Sequence, residues 1–153
     1  MPKKTTTATS KKSNIFTEAE KAALQDTVRE RKRAARRDPA GAREEGERDV
    51  QEQIAAMAPA DRVMAKRIHA ILKEAAPELV PRTWYGLPAY AKEGKVICFF
   101  KAASKYKERY ATFGFDQAAN LEEGTMWPSA WFLTKLTPAD EERIAALVKK
   151  AVG

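Results

Sequence analysis

The spacing of apolar residues changes near Val80, and this change constrains the fold more than any other feature of the chain. Before it, residues 60–75 place apolar side chains at helical spacing, and Pro77 ends the pattern. After it, short apolar runs separated by glycine-containing turns predict strands. The unbroken apolar run Val96–Phe100 is typical of a strand covered on both faces, and therefore of the centre of a sheet.

The second half of the chain predicts a meander of antiparallel strands. Gly86-Leu87-Pro88 predicts one turn, and Lys92-Glu93-Gly94-Lys95 predicts a second that closes a hairpin. The predicted strands are residues 83–85, 89–91, 96–102, 109–115 and 130–136.

Helices are predicted on both sides of this meander in sequence, at residues 17–37, 45–57, 60–75 and from Pro138 onward. Thr17 and Glu20 form a capping-box pattern at the first, whose thin apolar stripe indicates loose docking. Asp38-Pro39-Ala40-Gly41 is predicted to end that helix. Thr137 and Pro138 predict the start of the last helix. The order of elements predicts an α+β two-layer sandwich, in which N-terminal and C-terminal helices pack on an antiparallel sheet.

The composition divides the chain into three parts. Residues 1–14 carry four lysines and no acid, and are predicted to be a disordered basic tail. Residues 15–47 are predicted to be a helical N-terminal extension, and residues 48–153 the folded domain. Much of the net charge of +7 lies in the tail, so charge is weak evidence for a nucleic-acid partner.

The first helix carries several arginines on one face, and two interpretations of them stay open. They could contact phosphates together with the lysine tail, or they could form a solvated, salt-bridged surface with Glu18, Glu20, Asp26 and Glu30. We favour the solvated surface because the charges alternate in sign. The arginines are Arg29, Arg33, Arg36 and Arg37.

No secretory signal and no apolar run of membrane-spanning length is visible, so we expect a cytoplasmic protein without a membrane partner. The single cysteine, Cys98, excludes an internal disulfide and is predicted to be buried in its strand. His69, the only histidine, is predicted to lie at the boundary of the helical apolar stripe. No nucleophile–base–orienter set is predicted around either residue, so we do not expect an enzyme.

Three segments carry a family resemblance: the run Pro81–Tyr90, the strand Val96–Phe100, and Tyr110–Phe115. Together they resemble the YdhG-like family of small bacterial domains over about residues 48–153. The resemblance implies a frataxin-like arrangement of an antiparallel sheet flanked by helices. It also implies a non-enzymatic accessory protein, and in one branch of the family an intracellular iron chaperone that serves iron-utilising partners.

Carboxylates are the residues that could serve an iron role, because iron in such sites favours oxygen ligands. The candidates are Glu122, Glu123, Asp140, Glu141 and Glu142. The alternative interpretation is a solvated turn for the first pair and complementation of the helix dipole for the other three.

Aromatic residues supply a second candidate site, for a small ligand or a protein partner. The set is Trp84, Tyr85, Tyr90, Trp127 and Trp131, whose side chains combine an apolar body with a polar tip. Tyr85, Tyr90 and Trp127 are predicted to border a shallow pocket, and packing in the core is the alternative.

Overall fold

The computed structural model describes residues 17–34 and 39–153, and the predicted basic tail lies outside these ranges. Side chains are described except at positions 30–39, so three of the four arginines on the predicted face of the first helix lie outside the description. The described residues form four helices and five strands. Their bounds are α1 Glu18–Ala34, α2 Pro39–Ala55, α3 Pro59–Ala75, β1 Val80–Trp84, β2 Leu87–Lys92, β3 Lys95–Lys101, β4 Ala111–Phe115, β5 Ala130–Leu133 and α4 Pro138–Val152.

The five strands form one antiparallel sheet in the order β1-β2-β3-β4-β5, which confirms the predicted meander. The apolar strand β3 lies at its centre, as the run Val96–Phe100 predicts. The pairing of β2 with β3 shifts register between Tyr90 and Ala91. Such a bulge twists the strand locally.

Two-residue turns close the first two hairpins. The turn between β2 and β3 is Glu93-Gly94, inside the predicted segment. The predicted turn at Gly86-Leu87-Pro88 is wrong, because Leu87 pairs with Trp84 and begins β2. The turn is Tyr85-Gly86, with φ of 51° and 75°. Both central residues of this tight hairpin take positive φ, a conformation that glycine adopts at little cost.

One face of the sheet, which we call the inner face, carries α2, α3 and α4. The core lies between them, where Val50, Ile68, Phe100, Phe113 and Val148 are all at most 1% exposed. The other face, the outer face, meets α1 at the end of the first hairpin, where Ala23 and Thr27 are buried. Leu24 and Val28 of α1 remain about half exposed, at 44% and 52%. The architecture confirms the predicted α+β sandwich.

Helix α2 begins at Pro39, six residues before the predicted start at Glu45. Proline at the first position of a helix is favourable, because its missing N–H would have no intrahelical partner there. The segment predicted to stop the first helix therefore includes the start of the second. Residues 39–47, assigned by sequence to the extension, continue into the helix that contributes Val50 and Ile54 to the core.

The predicted bounds of α3 are confirmed to within one residue, as are the predicted caps of α1 and α4. Helix α2 ends at Ala55, two residues before the predicted end, and the predicted end of α1 at residue 37 lies outside the described residues. Helix α3 begins at Pro59 and ends at Ala75. Thr137 caps α4, accepting from the Asp140 N–H while the Asp140 carboxylate accepts from the Thr137 N–H. Thr17 Oγ1 accepts from the Glu20 N–H at 3.1 Å at the start of α1. Within the ranges that the structure describes, no helix is long and apolar enough to cross a membrane.

Candidate functional site

A chain of three polar side chains joins α2, α3 and β2 on the inner face. His69 of α3 is 5% exposed, and Tyr90 of β2 is 2% exposed. The Nδ1 atom of His69 lies 2.9 Å from the Tyr90 hydroxyl, and its Nε2 atom lies 2.9 Å from Glu47 Oε1. The residues come from three separate elements, so only the folded sheet and helices bring them together.

The chemistry of Glu47 fixes the direction of its hydrogen bond with His69, and the tautomer of a neutral ring then fixes the second bond. Burial alone would raise the pKa of Glu47, but hydrogen bonds from Lys73, His69 and Gln51 outweigh it and lower the pKa to about 2. The carboxylate is therefore ionised and can only accept, so Nε2 of His69 carries a proton. In the neutral ring Nδ1 then accepts from the Tyr90 hydroxyl. Burial raises the pKa of Tyr90 well above its usual range, which keeps that proton in place.

The two oxygens of Glu47 differ in their surroundings. Oε1 accepts from Lys73 Nζ at 2.7 Å and from Gln51 Nε2 at 3.3 Å, in addition to His69. Oε2 is buried and has no hydrogen-bond partner among the described residues. A buried, ionised oxygen without a donor is costly, and such atoms are rare in folded proteins.

Glu47 and Tyr90 line a pocket of about 590 Å³ between α2, α3 and β1, which we call the Glu47 pocket. Its apolar wall is formed by Leu72, Pro77, Leu79 and Pro81, and its charged rim by Arg43, Glu44, Arg48 and Lys73. The volume is within the range of small-molecule sites.

Arg43 closes one side of the Glu47 pocket. Its guanidinium donates to the carbonyl oxygens of Pro77, Glu78 and Leu79, at 3.3–3.5 Å. These bonds tie the start of α2 to the segment that connects α3 with β1. The wall of the pocket is thus held by side-chain contacts between segments that are distant in sequence.

The sequence predicts no nucleophile–base–orienter set around His69, and this prediction is wrong as to geometry. The Tyr90 hydroxyl, the His69 imidazole and the Glu47 carboxylate form one hydrogen-bonded chain. His69 is buried and does not lie at a solvent boundary. The sequence does not predict Glu47 as a site residue, because it lies 22 residues from His69 in the segment assigned to the extension. The polar His69 beside the apolar stripe of α3 is one feature of the sequence that indicates a buried polar site there.

The five aromatic candidates do not share one groove. Tyr90 lines the Glu47 pocket on the inner face, whereas Trp84 and Tyr85 line a groove of about 520 Å³ on the outer face, beneath α1. Trp127 lies in the loop before β5 and is 38% exposed. Trp131 packs against the core, edge-to-face with Phe115 and beneath the Arg143 guanidinium.

Three of the five carboxylate candidates have separate partners. Glu141 forms an ion pair with Arg67, and Glu123 lies 3.6 Å from Lys150. Hydrogen bonds with Thr137 lower the pKa of Asp140 in its capping box. Glu122 and Glu142 are exposed. Among the side chains that the structure describes, no three from His, Cys, Asp or Glu are grouped so that they could hold a metal ion.

Cys98 is fully buried in β3, as predicted, and burial raises the pKa of its thiol far above the usual range. A thiol in that state packs as a small apolar group.

The fold and the Glu47 pocket together define an α+β domain with a preformed concave site. Comparison of the chain with family models, with curated proteins and with solved structures finds no match.

Proposed function

We propose that this chain is a non-enzymatic binding protein and that its ligand is a small polar molecule held in the Glu47 pocket. The observation that carries the proposal is the ionised Glu47 carboxylate, whose Oε1 is fixed by three donors while Oε2 has none. A donor brought by a ligand would relieve the cost of that oxygen after a small side-chain movement. Binding would then satisfy a group that the protein's own described residues leave unsatisfied.

The lining of the pocket indicates the class of ligand. Glu47 favours an ammonium or hydroxyl donor, and the exposed guanidinium of Arg48 on the rim favours a carboxylate or another planar anion. Leu72 and Leu79 favour a short apolar part between these two groups. A zwitterion of the size of an amino acid meets all three requirements.

The protonation states of Glu47 and Tyr90 favour a binding role for these two groups over proton exchange. A group that exchanges protons during turnover works best with a pKa near the operating pH. The pKa of Glu47 is about 2, and that of Tyr90 is raised well above its usual range, so neither exchanges a proton readily near neutral pH. The Glu47–His69–Tyr90 chain therefore positions a carboxylate.

A thermal-shift screen tests the proposal, because a ligand of the folded state raises the unfolding midpoint by mass action. The probes are free amino acids and amino alcohols, with fatty acids and sugars as other classes. We expect at least one zwitterion to raise the midpoint of the wild type, and Arg48→Gln to lose most of that shift. Lys149→Gln, on the exposed side of α4, is the matched control and keeps it.

A zwitterion that raises the unfolding midpoints of Arg48→Gln and the wild type equally would contradict the assignment of this site. A screen in which no zwitterion raises the midpoint of the wild type would contradict it as well.

Iron binding or delivery is the second proposal, and it is drawn from the YdhG-like resemblance alone. The described residues include no group of three possible metal ligands, so the structure offers no grouped ligand set in support. Ferrous iron in the same screen tests it: a saturable shift removed by Glu122→Gln and Glu123→Gln would favour it. The absence of any shift would count against it.

A further inference from the structure

The outer face of the sheet carries two adjacent aromatic rings at its β4–β5 edge, one largely exposed and one half-buried. Phe132 of β5 is 73% exposed, and its ring centroid lies 5.4 Å from that of Tyr110, which immediately precedes β4. The side chain of Phe132 points away from the core, since its neighbours Trp131 and Leu133 pack against the core. We call Tyr110 and Phe132 the distal pair.

A second aromatic group lies on the same face nearer the first hairpin. The Trp84 ring is 5.5 Å from Phe99 and 5.1 Å from Tyr85, between centroids. The Phe99 ring lies against Gly114 of β4, where a Cβ atom would come within 2.5 Å of it. We call Trp84, Tyr85 and Phe99 the proximal cluster.

The register places polar side chains between the two groups. Phe132 lies opposite Thr112, and Thr112 lies opposite Lys101 in the neighbouring strand. Two strand spacings separate Phe132 from Lys101, which is about 10 Å. Two polar positions, Thr112 and Lys101, therefore follow Phe132 across the face.

The segment from Lys101 to Tyr110, which connects β3 to β4, is rich in positive charge. It contains four cations, Lys101, Lys105, Lys107 and Arg109, and a single acid, Glu108. Lys101 is paired with that acid, and its Nζ lies 4.9 Å from the centre of the Tyr106 ring. The Arg109 guanidinium lies 5.1 Å from the centre of the Tyr110 ring.

We propose that the outer face binds single-stranded nucleic acid, with bases stacked on the distal pair and phosphates held by Lys105, Lys107 and Arg109. Sheet faces with exposed aromatic rings and flanking cations suit this ligand, because every base has a flat face and every linkage carries a charge. The rings lie on the sheet surface, where unstacked bases can reach them. The proposal does not depend on the Glu47 pocket, which lies on the inner face.

Fluorescence anisotropy with a labelled oligouridylate of about 12 nucleotides tests the proposal on the full chain. We expect Phe132→Ala to weaken binding about tenfold, because loss of one stacked base costs that much or more. Val63→Ala is the matched control: Val63 is 64% exposed on α3 and should bind as the wild type does. Phe132 is largely exposed, so its truncation should leave the unfolding midpoint near that of the wild type.

The salt dependence separates this face from the lysines of the N-terminal tail. The double variant Lys107→Gln, Arg109→Gln should lower the slope of log affinity against log salt by about 1.4. The double variant Lys66→Gln, Lys149→Gln removes the same charge from α3 and α4. Its slope should stay steeper than that of the Lys107→Gln, Arg109→Gln variant.

Equal affinities for Phe132→Ala and Val63→Ala would overturn the proposal, because binding would then be electrostatic and located elsewhere. Failure of the wild-type chain to bind the oligonucleotide at about 50 mM salt would also overturn it.

Discussion

At the scale of single residues, the surroundings of Glu47 combine opposing effects on one carboxylate. Partial burial opposes its charge, while Lys73, His69 and Gln51 donate to it and more than compensate. The carboxylate side chain is 28% exposed, so solvent screens part of this interaction. The result is a residue whose charge contributes to stability at neutral pH.

This balance predicts a pH dependence. The folded-state pKa is lowered from 4.5 to about 2, so the stabilisation is complete above pH 4.5 and is lost as the pH falls through 2. We expect Glu47→Gln to lower the free energy of unfolding at pH 6 by about 2 kcal/mol, and by much less at pH 2. Chemical denaturation at both pH values measures the difference.

Glu142→Gln, which alters an exposed carboxylate on α4, is the control and should follow the wild type at both values. A Glu47→Gln variant whose deficit is as large at pH 2 as at pH 6 would contradict the assigned role of the charge.

At the scale of elements, the contact between α2 and β1 sets the position of Glu47. Gly46 allows this contact, because a Cβ atom at that position would overlap the carbonyl oxygen of Pro81. Both partners are backbone, so neither can turn aside as a flexible side chain would. The residue after this contact is Glu47, and the close approach therefore places the carboxylate beside α3 and β2.

Gly46→Ala should consequently destabilise the protein by about 2–4 kcal/mol, despite the better intrinsic helix propensity of alanine. Gly94→Ala is the comparison, since a Cβ there meets no atom within 4 Å and costs only the strain of positive φ, about 1 kcal/mol. Urea unfolding of both variants measures the two costs. A Gly46→Ala variant as stable as the wild type would show that α2 does not lie this close to β1.

Elements with strong local signals were predicted well from sequence. Helix α3 has a regular apolar stripe, and α4 has Thr137 and Pro138 at its start, so their bounds depend on neighbouring residues alone. The start of α2 and the first hairpin turn were missed for one reason. Both predictions treat proline as an interruption of structure, whereas Pro39 begins a helix and Pro88 lies within a strand.

At the scale of the whole molecule, the candidate sites were less accessible to sequence reasoning than the fold. The sequence groups Tyr90 with Tyr85 and Trp127, whereas in the structure Tyr90 lines the Glu47 pocket and Tyr85 lines the groove on the outer face. The hydrogen-bond partner of Tyr90, His69, is 21 residues away, and Glu47 a further 22, with no shared local pattern. The net charge of the sequence likewise gives no sign that the cations between Lys101 and Tyr110 lie next to the aromatic residues Tyr106 and Tyr110. These relations exist only once the strands are in register.

The ring of His69 reports most directly on the central claim, which is that a preformed polar chain supports a ligand pocket. It is the only histidine in the sequence, so a long-range proton–nitrogen NMR spectrum of the untagged protein contains a single imidazole. We predict that Nε2 carries the proton and Nδ1 accepts a hydrogen bond. We also predict that a zwitterion active in the thermal-shift screen moves these signals saturably. A proton on Nδ1 instead of Nε2, or ring signals unchanged at saturating ligand, would contradict the account.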